Sequence, residues 1–120
     1  MISNDVSSSN PIHDQNDDIY LQPIVYEKIA DLIRPSPYAA QVMLTLMMMI
    51  DKKGAVNTTQ AVVAHRCNIT LQNVEWAIRD LTSAELIVSV DVSSEPGGPF
   101  ACLLNPDLVR GELPVEQVQG

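Results

Sequence analysis

The segment His65–Val74, with the sequence HRCNITLQNV, places the tightest constraint on what this chain can fold into. It has the pattern of one short helix ending, a turn of three to four residues, and a second helix beginning at a steep angle to the first. Such a turn needs one residue with positive φ, and Asn68 is the best non-glycine type for it. Ile69 then plugs the junction and Thr70 caps the next helix. The segment therefore predicts two helices crossing at Asn68, with an ordinary compact helical hairpin as the alternative.

The segments before this turn predict two further helices. Pro23 suits the first turn of a helix that follows an extended piece at 19–22. Ser36 and Pro37 are placed to start a second helix, which is apolar nearly all round and is therefore expected to be buried and central. Its Met47–Met49 run favours core filling, with an adaptable binding groove or a dimer interface as the alternatives.

The segments around and after the turn supply a helix start and two strands. Residues 55–57 are expected to form a short extended link, and Thr58 or Thr59 to cap the helix that follows. The inward residues of that helix are expected to be Ala61, Val62 and, as a third candidate, Val63. Strand-like runs at 87–92 and 99–104 flank the turn-forming residues 93–98. The order helix, helix, tight turn, helix, hairpin is typical of a winged helix-turn-helix, so the expected fold class is mainly α with a small β-hairpin.

The negative charge is concentrated at the two ends of the chain. The whole sequence carries −8, whereas residues 19–111 hold nine acids and seven bases. Residues 1–18 hold four aspartates and no base and have few apolar side chains, which predicts a disordered acidic tail. Residues 112–120 are expected to be a flexible tail, and 19–111 to be one winged helix-turn-helix domain. The domain stays weakly acidic, which counts against binding to phosphates.

The helix after Thr70 is amphipathic. At 100° per residue, the residues expected to face the core are Leu71, Val74, Ile78 and Leu81. The opposite side carries Gln72, Asn73, Trp76, Arg79, Asp80 and Ser83. In a DNA-reading winged helix this side enters the major groove, where Asn and Gln pair with adenine. The predicted DNA-binding residues are Thr70, Gln72, Asn73, Trp76 and Arg79, with Lys52, Lys53 and Arg66 holding the DNA backbone.

Trp76 is the single tryptophan and projects from the middle of the polar side. Three interpretations stay open for it. It folds back against the hairpin or the preceding helix, it contacts a protein partner, or it contacts DNA.

Two stretches of the sequence resemble the RepL family of winged-helix plasmid replication proteins. Residues 58–87 are similar to the helix-turn-helix of that family and close on Leu86-Ile87. Residues 103–112, LLNPDLVRGE, are similar to its strand followed by an Asn-Pro-x-Leu-Val motif and a glycine, with the spacing one residue shorter. The matching positions are Asn105, Pro106, Leu108, Val109 and Gly111. The resemblance covers roughly residues 19–112 and implies DNA binding in plasmid replication or maintenance. The family's recognition helix usually carries bases where this chain has Leu71, Trp76 and Asp80.

The sequence favours neither catalysis nor a bound metal or cofactor. His13 and His65 stand alone, and no Ser or Thr has a base at a readable spacing. Cys67 and Cys102 belong to no metal-binding pattern, are too few for a disulfide scaffold, and are expected in the core. Because no apolar run is long enough to span a bilayer and the first residues are polar, neither a membrane span nor a signal peptide is expected, and the expected location is cytoplasmic.

Two functions remain open. The first is sequence-specific binding to double-stranded DNA in replication initiation, maintenance or transcriptional regulation, by a protein that pairs as a homodimer. The alternative is an acidic protein-binding module, of the anti-CRISPR kind, that inhibits or adapts a nucleic-acid-handling complex through the Trp76 side.

Overall fold

The computed structural model describes residues 20–110 and contains four helices and a three-stranded antiparallel sheet. The helices are α1 (Pro23–Leu32), α2 (Pro37–Met47), α3 (Gln60–Cys67) and α4 (Leu71–Ser83). The strands are β1 (Tyr20–Leu21), β2 (Ala55–Thr59), β3 (Ile87–Val92), β4 (Pro99–Leu104) and β5 (Val109–Arg110). The acidic and flexible tails predicted at 1–18 and 112–120 lie outside the described residues.

The sheet has the strand order β2-β4-β3, so the last strand of the hairpin lies in the centre. β2 pairs with β4 from Ala55 opposite Leu103 to Thr59 opposite Pro99. The sequence predicted only a short extended link at residues 55–57 and a two-stranded hairpin. This prediction was incomplete, because residues 55–59 form a third strand of the sheet. The domain is therefore mixed α/β. A second, two-stranded pairing of β1 with β5 joins the two ends of the described chain.

One hydrophobic core lies between the helices and the inner face of the sheet. Phe100, Cys102 and Leu104 of β4 are buried in alternation, as their spacing predicts. The helices contribute Val25, Ile29, Ala39, Val42, Met43, Leu46, Val63, Val74, Ala77 and Leu81. The expectation that α2 and its methionine run are buried all round was wrong in part. Leu44 is exposed because only one side of α2 packs against the other helices, and Met48, which follows the last residue of α2, is 72% exposed.

The inward side of α3 differs from the predicted one. Ala61 and Val62 are exposed, whereas Gln60 and Val63 are buried. The reason is the helix start, because Thr59 is the N-cap and accepts a hydrogen bond from the Val62 N–H at 3.0 Å. A helix that begins at residue 60 turns positions 60, 63, 64 and 67 inward.

The turn between α3 and α4 matches the predicted one. Asn68 adopts φ 57° and ψ 48°, the left-handed conformation, and the Ile69 N–H donates to the Ala64 carbonyl oxygen at 3.0 Å. The hydroxyl oxygen of Thr70 accepts from the Asn73 N–H at 3.1 Å and caps α4. Residues 59–84 are therefore two helices that meet at an angle, and α4 is free to present one side to solvent.

Candidate functional site

The candidate site is the solvent side of α4. Its opposite side is fixed in the core by Val74, Ala77, Ile78 and Leu81. Gln72, Glu75, Trp76 and Arg79 are exposed, and Asn73 is half-buried beside them. Two grooves border this surface, one on the side of the β3–β4 hairpin and one on the side of the loop between α1 and α2.

The hairpin groove lies between the first turns of α4 and the hairpin loop. Its lining residues are Gln60, Leu71, Gln72, Glu75, Val92, Ser93, Ser94, Glu95, Pro96 and Gly97. The set contains two carboxylates, Glu75 and Glu95, and neither lysine nor arginine. Leu71, predicted to face the core, is 38% exposed because this first residue of α4 contacts the hairpin loop instead. The groove is therefore a negative surface with an apolar edge.

Main-chain hydrogen bonds hold the hairpin loop on the start of α3. The Gln60 N–H donates to the Gly98 carbonyl oxygen at 2.8 Å, and the Ala61 N–H donates to that of Gly97 at 3.4 Å. The buried amide of Gln60 adds a bond to the carbonyl oxygen of Ser93 at 3.3 Å. Gly98 has no room for a side chain, since a Cβ there would lie 2.8 Å from Ser93 Oγ. These contacts give the hairpin groove a fixed shape.

The aromatic groove lies on the other side of α4, with a volume of about 360 Å³. Its lining residues are Pro35, Ser36, Pro37, Tyr38, Trp76, Ala77, Arg79 and Asp80. Trp76 is 49% exposed and Tyr38 is 43% exposed, so each ring keeps much of its surface available to a partner. Trp76 thus lies beside the α1–α2 loop, and the interpretation that it folds back against the hairpin or α3 is wrong.

A side-chain hydrogen bond fixes the aromatic groove. Ser36 lies at the N-cap position of α2 and Pro37 is its first residue, as predicted, but no side-chain capping bond forms there. The Ser36 hydroxyl instead donates to Asp80 Oδ2. This bond ties the α1–α2 loop to α4 through one oxygen of Asp80, the one acidic residue in the groove lining. The Arg79 side chain is exposed and has no hydrogen-bond or ion-pair partner within residues 20–110.

The structure brings together some of the predicted site residues and separates others. Gln72, Trp76 and Arg79 share the exposed side of α4, and Thr70 serves as its cap. Arg66 is exposed on the last turn of α3. The residues Lys52 and Lys53 are exposed in the turn before β2. That turn adjoins the pairing of Ala55 with Leu103, at the end of the sheet remote from the hairpin loop.

The two cysteines are packing residues, as predicted. Cys67 is buried at the end of α3, where its sulfur lies 3.2 Å from Thr45 Oγ1 and its carbonyl oxygen accepts from Gln41 Nε2 at 2.8 Å. These bonds fasten the end of α3 to α2. Burial raises the pKa of the Cys102 thiol to about 12, so it stays protonated and unreactive at neutral pH.

Most residues that line the two grooves were not predicted as site residues, among them Pro35, Ser36, Tyr38 and Gln60. The Pro-Ser-Pro-Tyr stretch signals a helix start, but nothing local places it next to Trp76. A polar residue after a capping threonine is ordinarily exposed, so the buried Gln60 carried no signal either.

Two classes of site find no support in the part of the chain that the structure describes. No group of three or more His, Cys, Asp or Glu side chains is arranged to hold a metal ion there. Each helix between residues 20 and 110 is too short or too polar to cross a membrane.

Comparison of the chain with known protein families, curated proteins and solved structures gives no match. The interpretation of the two grooves therefore depends on their own geometry and chemistry.

Proposed function

We propose that this chain is a winged helix-turn-helix DNA-binding protein of plasmid or phage type, which acts in replication initiation or maintenance or in transcriptional regulation. The observation that carries the proposal is the solvent side of α4. Gln72, Asn73 and Arg79 extend from a helix whose other side is buried, and their side chains have no hydrogen-bond partner within residues 20–110. Unbonded amides and a guanidinium on one exposed helix side are the groups that read base edges in a major groove.

The arrangement of the other elements supports the same function. The order along the chain is α2, β2, α3, α4 and the β3–β4 hairpin, which is the order expected of a winged helix. The hairpin lies beside α4, since residues of both line the hairpin groove. The resemblance of residues 58–87 and 103–112 to the RepL family points in the same direction. Under this proposal α4 occupies the major groove of DNA, Arg79 contacts phosphate or guanine, and Arg66 contacts the DNA backbone. Lys52 and Lys53 contribute only at a distance from α4.

A salt titration tests this proposal. The probe is a random-sequence DNA duplex in a mobility-shift assay at about 50 mM and about 200 mM salt, because phosphate contacts lose affinity steeply over this range. Arg79→Gln is expected to weaken binding and flatten the salt dependence. Lys28→Gln on α1 is the matched control, because it removes the same charge from a residue outside the α4 surface. Equal loss in both variants, or no shift at low salt, contradicts the proposal.

Sequence specificity is tested separately. Duplexes selected from the random pool are compared for wild type and Asn73→Ala. The substitution is expected to cost about 1–3 kcal/mol on a specific site, because a bidentate contact to a base is lost. Equal affinities of the two proteins for the selected site count against base reading by Asn73.

The hairpin groove favours a second candidate function, a protein-binding inhibitor or adaptor. Glu75 and Glu95 are carboxylates in the place where the helix and hairpin of a DNA reader meet phosphates, and no base lines that groove. Exposed Trp76 suits a protein interface, where aromatic anchors supply much of the binding energy. If this function is correct, the chain fails to shift DNA at low salt. A complex isolated with the wild type is then lost with Trp76→Ala while the unfolding midpoint stays unchanged. Trp76 does not line the hairpin groove, so the double variant Glu75→Gln with Glu95→Gln tests that groove directly, and a complex that survives both changes rejects the candidate.

A further inference from the structure

The aromatic groove is open to solvent, and no side chain from residues 20–110 fills it. Trp76 and Tyr38 present half-exposed rings, and Pro35 and Pro37 add rigid apolar surface between them. The bond from Ser36 to Asp80 holds the loop against α4, so the groove exists before any partner arrives. Its chemistry fits an extended segment that offers a small apolar side chain to the rings.

The charge at the edge of the groove specifies the occupant further. Arg79 is exposed without an ion-pair partner in the described part of the chain. Asp80 is the one acidic residue of the lining, and its bond from the neutral Ser36 hydroxyl does not cancel its charge. Arg34, directly before Pro35, is exposed and likewise lacks a partner there. Arg34 and Arg79 together outnumber Asp80 at this edge, so a segment with carboxylates next to its apolar residue complements the groove better than a basic segment does.

We propose that the occupant is the N-terminal segment of the same chain, residues 1–19. This segment carries Pro11-Ile12 followed by Asp14, Asp17 and Asp18, and it contains neither lysine nor arginine. Ile12 packs against the rings of Trp76 and Tyr38, and the aspartates pair with Arg79.

The length of the segment is sufficient for this contact. β1 places Tyr20 next to the start of α1, where the Gln22 N–H donates to the Leu108 carbonyl oxygen at 2.8 Å. α1 has 10 residues and is therefore about 15 Å long. The groove begins at its other end, where the Ser36 N–H donates to the Leu32 carbonyl oxygen at 2.8 Å. The chain from Ile12 to Tyr20 spans up to about 26 Å when extended, which exceeds the length of α1.

Docking of residues 1–19 has a regulatory consequence, which rests on the proposed DNA-binding function. The segment covers Trp76 and Arg79, so it competes with DNA for the same side chains. Because the segment is tethered, its effective concentration at the groove is of the order of millimolar, and weak contacts suffice. DNA must displace it, so the segment weakens nonspecific binding more than binding to a site that also engages Gln72 and Asn73.

The single tryptophan lies in the groove and reports the contact directly. The experiment measures acrylamide quenching of Trp76 fluorescence in the full chain without DNA. The wild type is compared with a triple variant, Asp14→Asn, Asp17→Asn and Asp18→Asn, and with Ile12→Ser. Each variant is expected to increase the quenching constant by about twofold, because a tethered contact that is mostly formed in the wild type is released. Raising NaCl to about 0.5 M is expected to increase the quenching constant of the wild type as well, because salt screens the ion pairs between the aspartates and Arg79.

The matched control changes the carboxylates at the other end of the chain. Glu112→Gln with Glu116→Gln also removes negative charge from a terminal segment and is expected to leave quenching unchanged. Arg79→Gln is expected to abolish the salt dependence. Equal quenching in the wild type and the residue 1–19 variants overturns the proposal. Quenching that depends on protein concentration also overturns it, because the occupant is then a second copy of the chain.

The outcome separates this inference from the proposed function. Protection of Trp76 by residues 1–19 in a chain that shifts no DNA keeps the docking and rejects DNA binding. A DNA shift with identical quenching in all variants keeps DNA binding and rejects the docking.

Discussion

The two grooves beside α4 differ in almost every chemical respect although they share one helix. The hairpin groove carries Glu75 and Glu95 and no base. The aromatic groove carries Trp76, Tyr38 and an Arg79 that has no partner within residues 20–110, and its one acidic residue, Asp80, accepts a hydrogen bond from Ser36. The hairpin groove is built by main-chain bonds to α3, and the aromatic groove by a side-chain bond from a loop.

This difference predicts that the two halves of the exposed α4 surface favour partners of different charge. Phosphate oxygens are repelled at the first turns of the helix, beside the hairpin, and attracted further along it, at Arg79. A nucleic acid bound to α4 is therefore expected to lie towards the α1–α2 loop. A protein partner with basic residues is expected to prefer the hairpin side.

The largest expected effect comes from a change that removes both grooves at once. Leu81→Ala deletes a fully buried side chain that seats α4 in the core. Such a deletion costs about 2–5 kcal/mol in the free energy of unfolding. Urea denaturation followed by Trp76 fluorescence measures it. Leu44→Ala, at an exposed position, is the control and is expected to stay within about 0.5 kcal/mol. Similar losses for both variants mean that α4 is not fixed by this contact.

A substitution in the hairpin loop removes one groove and spares the other. Gly98→Ala places a Cβ against Ser93 Oγ and the Glu95 carbonyl oxygen, at 2.8 and 2.9 Å, so the loop has to shift. We expect a loss of about 1–3 kcal/mol, as for other overpacked positions. Hydrogen exchange at the Gln60 N–H is expected to accelerate. Ser94→Ala in the same loop is the control, and slow exchange in the glycine variant contradicts the steric assignment.

The reciprocal change acts on the aromatic groove. Ser36→Ala removes the donor to Asp80 and is expected to cost about 1–2 kcal/mol, since hydrogen bonds to charged groups are stronger than neutral ones and this one is only partly buried. Trp76 fluorescence is expected to shift while exchange at Gln60 stays unchanged. Ser83→Ala, on an exposed position of α4, is the control. An unchanged Trp76 spectrum in Ser36→Ala means that the loop position does not depend on this bond.

The smallest expected effect comes from a substitution that tests whether the charge of the hairpin groove repels DNA. If the chain binds DNA, Glu75→Gln is expected to raise the affinity for a random duplex by roughly two- to fivefold, because an exposed repulsion of under about 1 kcal/mol is removed. Glu27→Gln on α1 makes the same charge change on another helix and serves as the control. Equal gains in both variants show that only net charge matters.

Local signals were sufficient to predict the turn and the helix starts. Asn68 took the left-handed conformation and Thr70 the cap, because both depend on a residue and its nearest neighbours. Pro23 and Pro37 lie at the first positions of their helices for the same reason. The strand β2 was missed as a strand because its residues, AVNTT, give one buried position, Val56, and no strong alternation.

Long-range contacts were beyond this kind of prediction. The aromatic groove needs Tyr38 and Trp76 to line the same groove, which follows from how α2 packs against α4. Leu71 is exposed because it contacts the hairpin loop instead of the core. The sequence of α4 contains no signal for this contact. Helical periodicity predicted which side of α4 is exposed. It did not predict that the hairpin loop and the α1–α2 loop border that side.

The hairpin loop is fastened by carbonyl oxygens of Gly97 and Gly98 and not by the side chains of Ser94, Glu95 and Pro96. Those three positions at the tip can therefore be exchanged with little effect on the attachment of the loop. Substitutions at these positions, in evolution or by design, can change the charge of the tip from negative to positive without altering how the loop is attached to α3. The tip is thus the place where a new binding preference is most easily installed.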